Sequence, residues 1–314
     1  MKLRLGTRAS ALAQAQATAV AVSLRQRGVD VELVAVRVAG DRGAPPGDKA
    51  RWVADLDAML LAGELDAAVH SAKDVPTLLA EGVAIACVPV RADPRDVLCG
   101  ADSIGALAAG ARVGTSSLRR AAQLRALRED LELVGVRGNV DTRLRKLDEG
   151  VCDALVLAFA GLQRLGRTTA AGALLEPSVL LPAAGQGTLA VTAPADRGEV
   201  AEALAALEDR AARDTLTAER TLVHALGAGC HTPVGGLAET ADDEGGGQLT
   251  ADEGGGQLRL RGFAGLPDGS DWVRDELTGP RADPEALGRA LAQRMLAAGA
   301  GELVRQAEQA EVTG

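Results

Sequence analysis

Tyrosine is absent from this 314-residue chain, and phenylalanine and tryptophan contribute two residues each. So few rings argue against a surface that stacks nucleic-acid bases. A basic excess is missing as well. Asp and Glu number 43 against 34 Lys and Arg, and the net charge of -9 has the wrong sign for a phosphate-gathering footprint. Cys87, Cys99, Cys152 and Cys230 show no Cys-x-x-Cys spacing. That pattern suits a reducing compartment and carries no zinc signature, so no metal site is expected. No apolar run is long enough to span a bilayer, and Leu3-Arg4-Leu5 enters a strand with no apolar leader before it. The expectation is a cytoplasmic protein that binds neither nucleic acid nor membrane.

What is present is an ordinary globular balance, 47% hydrophobic and 25% charged, over a length that favours two or three domains. The stretch Val69-His70-Ser71-Ala72-Lys73-Asp74-Val75-Pro76 organises the rest. It follows the apolar run Asp66-Ala67-Ala68-Val69 and so places ionisable side chains at the carboxyl end of a buried strand. Ligands of open α/β sheets bind at such ends. A capped strand end carrying a surface ion pair is the plainer interpretation of the same residues.

The order around this stretch is regular. A strand ends in Gly6-Thr7-Arg8-Ala9-Ser10, and Ser10 caps an Ala/Gln/Leu helix reaching about Gln26. Val31–Arg37 reads as the next strand, a Gly/Pro/Asp loop follows over 39–50, and a helix from about Trp52 leads into the central strand. About a hundred residues later the plan recurs. Arg112–Ser117 matches the first strand end, Leu131–Arg137 the second strand, and Gly150–Val156 the approach to the central one. Two lobes of one βα design are expected, facing each other across a cleft. Leu181–Gly187 and a strand over 188–193 read as a return to the first lobe. Beyond Glu208 come a helix to Leu226, a Gly-rich loop holding Cys230 and His231, strands near 257–264 and 271–277, and a final helix from about Asp283. Residues 240–249 and 250–258 are near copies and read as a solvated hairpin loop without chemistry.

Basic residues collect at strand ends of the second lobe. Ser116 and Ser117 sit at a helix N-terminus, which presents free N–H groups to anions. Arg119 and Arg120 follow on its first turn, Arg137 ends the next strand, and Arg143 lies one turn into the helix beyond. Arg8 and Ser10 hold the equivalent place in the first lobe. In an acidic protein this points to an anionic ligand, since guanidinium forks suit carboxylates; solvated helix faces are the alternative. Cys230 is the only cysteine on a Gly-rich loop, which leaves a nucleophile, an attachment point or an inert thiol all open.

Taken together these phrases resemble the porphobilinogen deaminase family over nearly the whole chain. They are Gly6-Thr7-Arg8-x-Ser10, His70-Ser71-x-Lys73-Asp74-Val75-Pro76, Asp93-Pro94-Arg95-Asp96, Gly114–Arg120, Arg137-Gly138-Asn139-Val140-x-Thr142-Arg143, Ala160-Gly161-Leu162-x-Arg164-Leu165-Gly166, Leu181-Pro182-Ala183-x-Gly185-Gln186-Gly187, Ala218-Glu219-Arg220 and Gly229-Cys230. The resemblance implies an α/β fold of two periplasmic-binding-protein-like lobes with mixed sheets and a small α+β C-terminal domain. Lobe 1 would be 1–90 with 188–207, including a mobile loop at 39–51; lobe 2 would be 93–183; the last domain would be 209–314.

It also implies a transferase that deaminates porphobilinogen and joins four units into linear hydroxymethylbilane on a dipyrromethane held by a thioether to Cys230. Asp74, Arg8 and Lys73 take the catalytic positions. The cofactor would be held by Cys230, Lys73, Asp74, Thr115, Ser116, Ser117, Arg119, Arg120 and Gly138. Substrate would meet Arg8, Ser10, Lys49, Trp52, Arg137, Arg143 and Gln186, and a monomer is expected. The departures lie in Gly47-Asp48-Lys49-Ala50-Arg51-Trp52, a shortened lid phrase with Trp for an expected Phe, and in Ala228 for a Gly before the cysteine. A diverged paralogue with altered lid chemistry and a non-catalytic two-lobed anion-binding protein are the alternatives.

Overall fold

The computed structural model describes residues 2–37, 50–229, 232–241 and 256–312. Its chain forms two compact units: Met1–Ala92 with Arg164–Gly166 and Gln186–Arg213, and Asp93–Gln163 with Arg167–Gly185 and Asp214–Gly314.

In the first unit, strands β1 (Lys2–Arg8), β2 (Asp30–Val36), β3 (Ala67–Ser71) and β4 (Val83–Cys87) are joined by a late strand, β10 (Leu189–Pro194). The sheet runs β2-β1-β3-β10-β4, so the Ala67–Ser71 strand lies at its centre. β1 pairs in parallel with β2 and β3, whereas β10 runs antiparallel between β3 and β4. Helices α1 (Ala11–Arg25) and α6 (Gly198–Ala205) contribute Ala17, Val20, Leu24, Val200 and Leu204 to one core cluster with Leu3, Leu5, Val69 and Val191. Helix α2 (Ala50–Leu61) supplies Leu56 and Leu60 to the cluster with Leu65, Ala68 and Val83. Each fully buried leucine contributes about 1.5–3 kcal/mol, which is what holds these helices on the sheet. Gly6 makes the second contact possible, because a Cβ there would run into the Leu65 and Leu56 side chains.

The second unit repeats the plan. Strands β5 (Asp96–Cys99), β6 (Arg112–Gly114), β7 (Glu132–Val134), β8 (Ala154–Ala158) and β9 (Ala173–Leu175) lie in the order β7-β6-β8-β5-β9. Again three strands are parallel, and one antiparallel strand separates them from the edge. The duplication legible in the sequence is therefore a duplication of topology. β7 is shorter than the Leu131–Arg137 segment suggests. Its partner β6 stops at Gly114, and the Thr115 N–H to Val134 carbonyl bond closes the ladder.

The same unit holds a three-stranded antiparallel sheet, β11 (Val234–Thr240), β12 (Gln257–Gly265) and β13 (Trp272–Pro280). Helices α7 (Arg210–Ala225), α8 (Pro284–Ala297) and α9 (Ala300–Val312) cover one face through Leu222, Leu258, Leu260, Leu291, Met295 and Val304. Leu237 and Phe263 pack on Ala122 and Leu181 from the other. Glu219 of α7, fully buried, accepts the N–H groups of Ala238 and Gly185 and so ties the helix to both segments. The single final helix expected from Asp283 is two. Asp283 does cap α8, but Gly299 at φ +99 turns the chain before α9, a conformation glycine adopts at little cost. The 240–258 repeat falls mostly outside the described residues. No helix among the described residues is long and apolar enough to cross a membrane.

One buried acid sits in this frame without a charged partner among the described residues. Asp57 on α2 is 7% exposed, and burial alone pushes its carboxyl up to about 6. The stability that its protonated form contributes is full below the ordinary carboxylate pKa of about 4 and is lost as pH rises through about 6. Asp57→Asn should therefore raise the unfolding free energy at pH 8 by about 3 kcal/mol, with little change at pH 4. Urea melts at the two pH values check this.

Candidate functional site

In the first unit the polar strand ends meet in one small pocket of about 50 Å³. β3 delivers Val69, His70 and Ser71. The chain then tightens into a 3-10 turn, Ala72–Asp74, closed by the Val75 N–H to Ala72 carbonyl bond, and this turn swings Asp74 back onto the pocket wall. The neighbouring parallel strand ends in Arg8. Ser10, with extended backbone, accepts the Ala13 N–H on its Oγ at 3.3 Å and starts α1 on the same wall. Leu12, Ala13 and Val53 provide the apolar part. Adjacent parallel strands thus place a carboxylate and a guanidinium around one space, which suits stabilising developing positive charge while holding an anionic group.

Neutral polar groups line the remainder. Gln16, nearly fully buried, donates its Nε2 to Ser71 Oγ at 2.8 Å, and His70 Nε2 lies 3.1 Å from Thr192 Oγ1. Burial pulls the His70 imidazole down to about 4, with Asp74 opposing and Arg8 reinforcing the shift. Asp74's own carboxylate makes no hydrogen bond to the described residues.

Lys73 faces a different group. Its Nζ is 3.3 Å from Oε1 of the fully buried Gln186, whose carbonyl also accepts from Arg91 Nε and Nη2 at 3.1 and 2.9 Å. Arg164 Nη2 donates to the next carbonyl, Gly187, at 2.6 Å. Burial lowers the Arg164 guanidinium to about 10, and no carboxylate of the described residues bonds to it. A buried cation answered only by a carbonyl is able to take an anion as well. The sequence signal was available: Arg164 ends the short helix α5 (Phe159–Arg164), in which Ala160, Gly161 and Leu162 are buried. Only the motif around Arg164, not its buried setting, is visible in one dimension.

The Ser/Arg segment of the second unit is built differently from the sequence expectation. Ser117 caps helix α3 (Leu118–Leu127), accepting the Arg120 N–H, and its own N–H donates to Thr115 Oγ1 at 3.1 Å; Ser116 is exposed. Arg119 and Arg120 do not project freely from the first turn. Both are buried on Asp96, which is fully enclosed, with Nη2 to carboxylate distances of 2.9 and 2.7 Å. Arg119 also donates to the Leu181 carbonyl and Arg120 to that of Val156. Burial lowers the Arg119 pKa despite the Asp96 charge, and its Nε is buried without an acceptor among the described residues.

Arg137 is exposed at the next turn, where Gly138 at φ +122 leaves no room for a Cβ beside Thr142. Asn139 caps helix α4 (Val140–Asp148) by accepting the Thr142 N–H at 2.8 Å, and Arg143 Nε donates to the Gly138 carbonyl at 2.7 Å. Cys87, Cys99 and Cys152 are buried, as their apolar contexts suggest. Lys49, Cys230 and nearly all of the 39–51 loop lie outside the described residues, and Trp52 is placed on α2 through its backbone alone.

Comparison with known proteins adds the following. The family described as porphobilinogen deaminase, dipyromethane cofactor binding domain, matches residues 3–202, and its C-terminal domain matches 214–297. A porphobilinogen deaminase from Roseiflexus sp. (strain RS-1) is 47% identical over 303 residues, covering 94% of this chain and 95% of that protein. One from Acidothermus cellulolyticus is 46% identical over 318 residues, covering 98% and 92%. Among solved structures, a TRAP periplasmic solute binding protein from Desulfovibrio salexigens aligns at 12% identity and a TM-score of 0.42, over 66% of this chain and 72% of that one.

Proposed function

The chain belongs to the porphobilinogen deaminase family, and on that premise we propose how its own residues divide the work of the reaction. It is an enzyme of tetrapyrrole biosynthesis with a dipyrromethane cofactor domain. Its reaction removes ammonia from porphobilinogen and joins four units into linear hydroxymethylbilane. The carrying observation is Asp74 beside Arg8 and Ser10 in one small pocket.

Asp74 is the catalytic carboxylate. Positive charge develops on the substrate as its aminomethyl group loses ammonia, and a carboxylate partly withdrawn from water stabilises that charge more than solvent would. The same oxygens accept and return protons during coupling. Arg8 and Ser10 hold a substrate carboxylate against this group, and the neighbouring Lys73 donates to Gln186. Arg164 belongs to the substrate set on the strength of its burial and neutral partner.

The dipyrromethane, when bound, supplies the pyrrole terminus to which units are added. The residues present fit its acetate and propionate groups. The buried Nε of Arg119 has no acceptor among the described residues, and Thr115, Ser116 and Ser117 surround the N-terminus of α3. Arg120, Gly138, Arg137 and Arg143 complete the carboxylate-holding set, with Lys49 and Trp52 assigned to the substrate entrance. Arg119 gives its Nη donors to Asp96 and the Leu181 carbonyl and keeps Nε for the ligand, while Arg120 supports it from its pairing with Asp96. Cys230 is the thioether attachment point.

We assign three domains, 1–90 with 188–207, 93–183 and 209–314, in keeping with one sheet in each. A monomer working in the cytoplasm agrees with the acidic composition and the buried free cysteines.

The intact mass of the denatured protein tests the attachment. The wild type should carry the added mass of one dipyrromethane and Cys230→Ser none. A bare polypeptide mass in the wild type, unchanged after incubation with porphobilinogen, would remove the synthase reading.

A further inference from the structure

Gln16 and Ser71 bond to each other in the pocket, whereas His70 keeps a ring nitrogen for which the roles assigned above have no use. The histidine sits on the central strand, 5% exposed, and lines the space shared by Asp74, Arg8 and Ser10. Its Nε2 is committed to Thr192 Oγ1 at 3.1 Å across the β3–β10 ladder. Thr192 is itself 1% exposed, and its hydroxyl has no other hydrogen-bond partner among the described residues. A buried hydroxyl proton left without an acceptor is costly, so the hydroxyl donates to Nε2. That fixes the tautomer: Nε2 is the acceptor, and Nδ1 carries the ring proton. Nδ1 makes no hydrogen bond to the described residues, which leaves it as the nitrogen that a ligand in the pocket meets.

The electrostatic setting gives this donor a definite character. Asp74 and Arg8 are the charged groups that reach His70; α2 contributes Val53 to the pocket and β10 contributes Thr192. Their charges oppose one another at the ring, and burial decides the outcome, so the imidazole is uncharged at neutral pH. A neutral, directional N–H beside Arg8 is suited to orienting a carboxylate without adding a second positive charge near the carbon that becomes cationic. A protonated histidine there would work against Asp74.

We propose that His70 is a substrate-contacting specificity residue, its Nδ1–H donating to a side-chain carboxylate of porphobilinogen held beside Arg8, with Thr192 setting the tautomer. The inference rests on the pocket being the substrate site. It predicts an effect on KM rather than on kcat, because the contact is made equally in the bound substrate and in the transition state.

Two substitutions separate the nitrogens. His70→Gln keeps an amide near the Nε2 position and hence the Thr192 contact; His70→Asn keeps an N–H donor near the Nδ1 position and gives up Thr192. The full-length holoenzyme is assayed with porphobilinogen, and melting is followed in parallel. His70→Gln should raise KM about 10-fold with kcat within about 3-fold and Tm unchanged, as expected for losing a hydrogen bond to a charged acceptor. His70→Asn should keep KM near the wild-type value and melt earlier. Thr192→Val, which leaves the ring in place but frees its tautomer, should raise KM about 3-fold. A wild-type KM in both His70→Gln and Thr192→Val would reduce His70 to a core partner of Thr192, and a loss confined to kcat would equally overturn the assignment. Absence of tetrapyrrole product from the wild type would instead remove the functional reading on which the inference stands.

Discussion

Replacing Asp74 with asparagine should lower porphobilinogen turnover by about 10²–10³-fold while leaving the protein folded, the scale seen when a preorganised charge-stabilising group is lost. The expectation follows from what the side chain does and does not hold. Asp74 ends a 3-10 turn secured by main-chain hydrogen bonding, and its carboxylate bonds to none of the described residues. Neither the β1–β3 nor the β3–β10 ladder depends on it. Removing the charge should therefore spare the melting temperature. The amide cannot compensate a cation or take a proton, so kcat should collapse. A colorimetric assay for oxidised tetrapyrrole beside a thermal melt reads both quantities. Turnover within 10-fold of wild type would transfer the chemistry to another group.

The largest effect on stability should come from Asp96. This carboxylate is fully buried, and Arg119 and Arg120, each about 95% buried, converge on its two oxygens. A buried ion pair adds little net stability over a well-packed apolar replacement, but breaking one side leaves an uncompensated charge. Removal of one partner typically costs about 3–5 kcal/mol, and here two guanidiniums lose their counter-ion together. Asp96→Ala should accordingly express as insoluble or unfolded protein. Asp96→Asn, which keeps the shape and one acceptor, should fold with its urea midpoint lowered by the equivalent of about 3 kcal/mol. A midpoint within about 1 kcal/mol of wild type would mean that the two arginines find other acceptors.

The two experiments also separate roles that the sequence merges. Arg119 and Arg120 stand in a Ser/Arg phrase whose helix N-terminus suggests anion binding, and the phrase alone assigns both guanidiniums to a ligand. In the fold they serve first as the counter-ions of Asp96, and Arg119 retains one buried donor, Nε, beyond that pairing.

Local sequence determined the strands and helix starts that carry the site, though not the end of β7 or the break before α9. Apolar periodicity placed β3 and the strand-end Arg8 and Asp74, Ser10 and Ser117 announced their helices as caps, and the recurrence near residue 112 foretold a second lobe of the same βα design. These features are legible because they depend on residues within one or two turns of each other. The tertiary structure decided the partnerships: Asp96 with Arg119 and Arg120, Thr192 with His70, and Gln186 with Lys73 and Arg91. Each joins segments between 23 and 122 residues apart. Nothing in the pattern of one segment specifies which distant group will neutralise its charge or fix its tautomer. That choice is made when the β10 strand inserts beside β3 and when β5 comes to lie beside β8, because the sheets then bury those polar groups together and each must be satisfied where water is excluded.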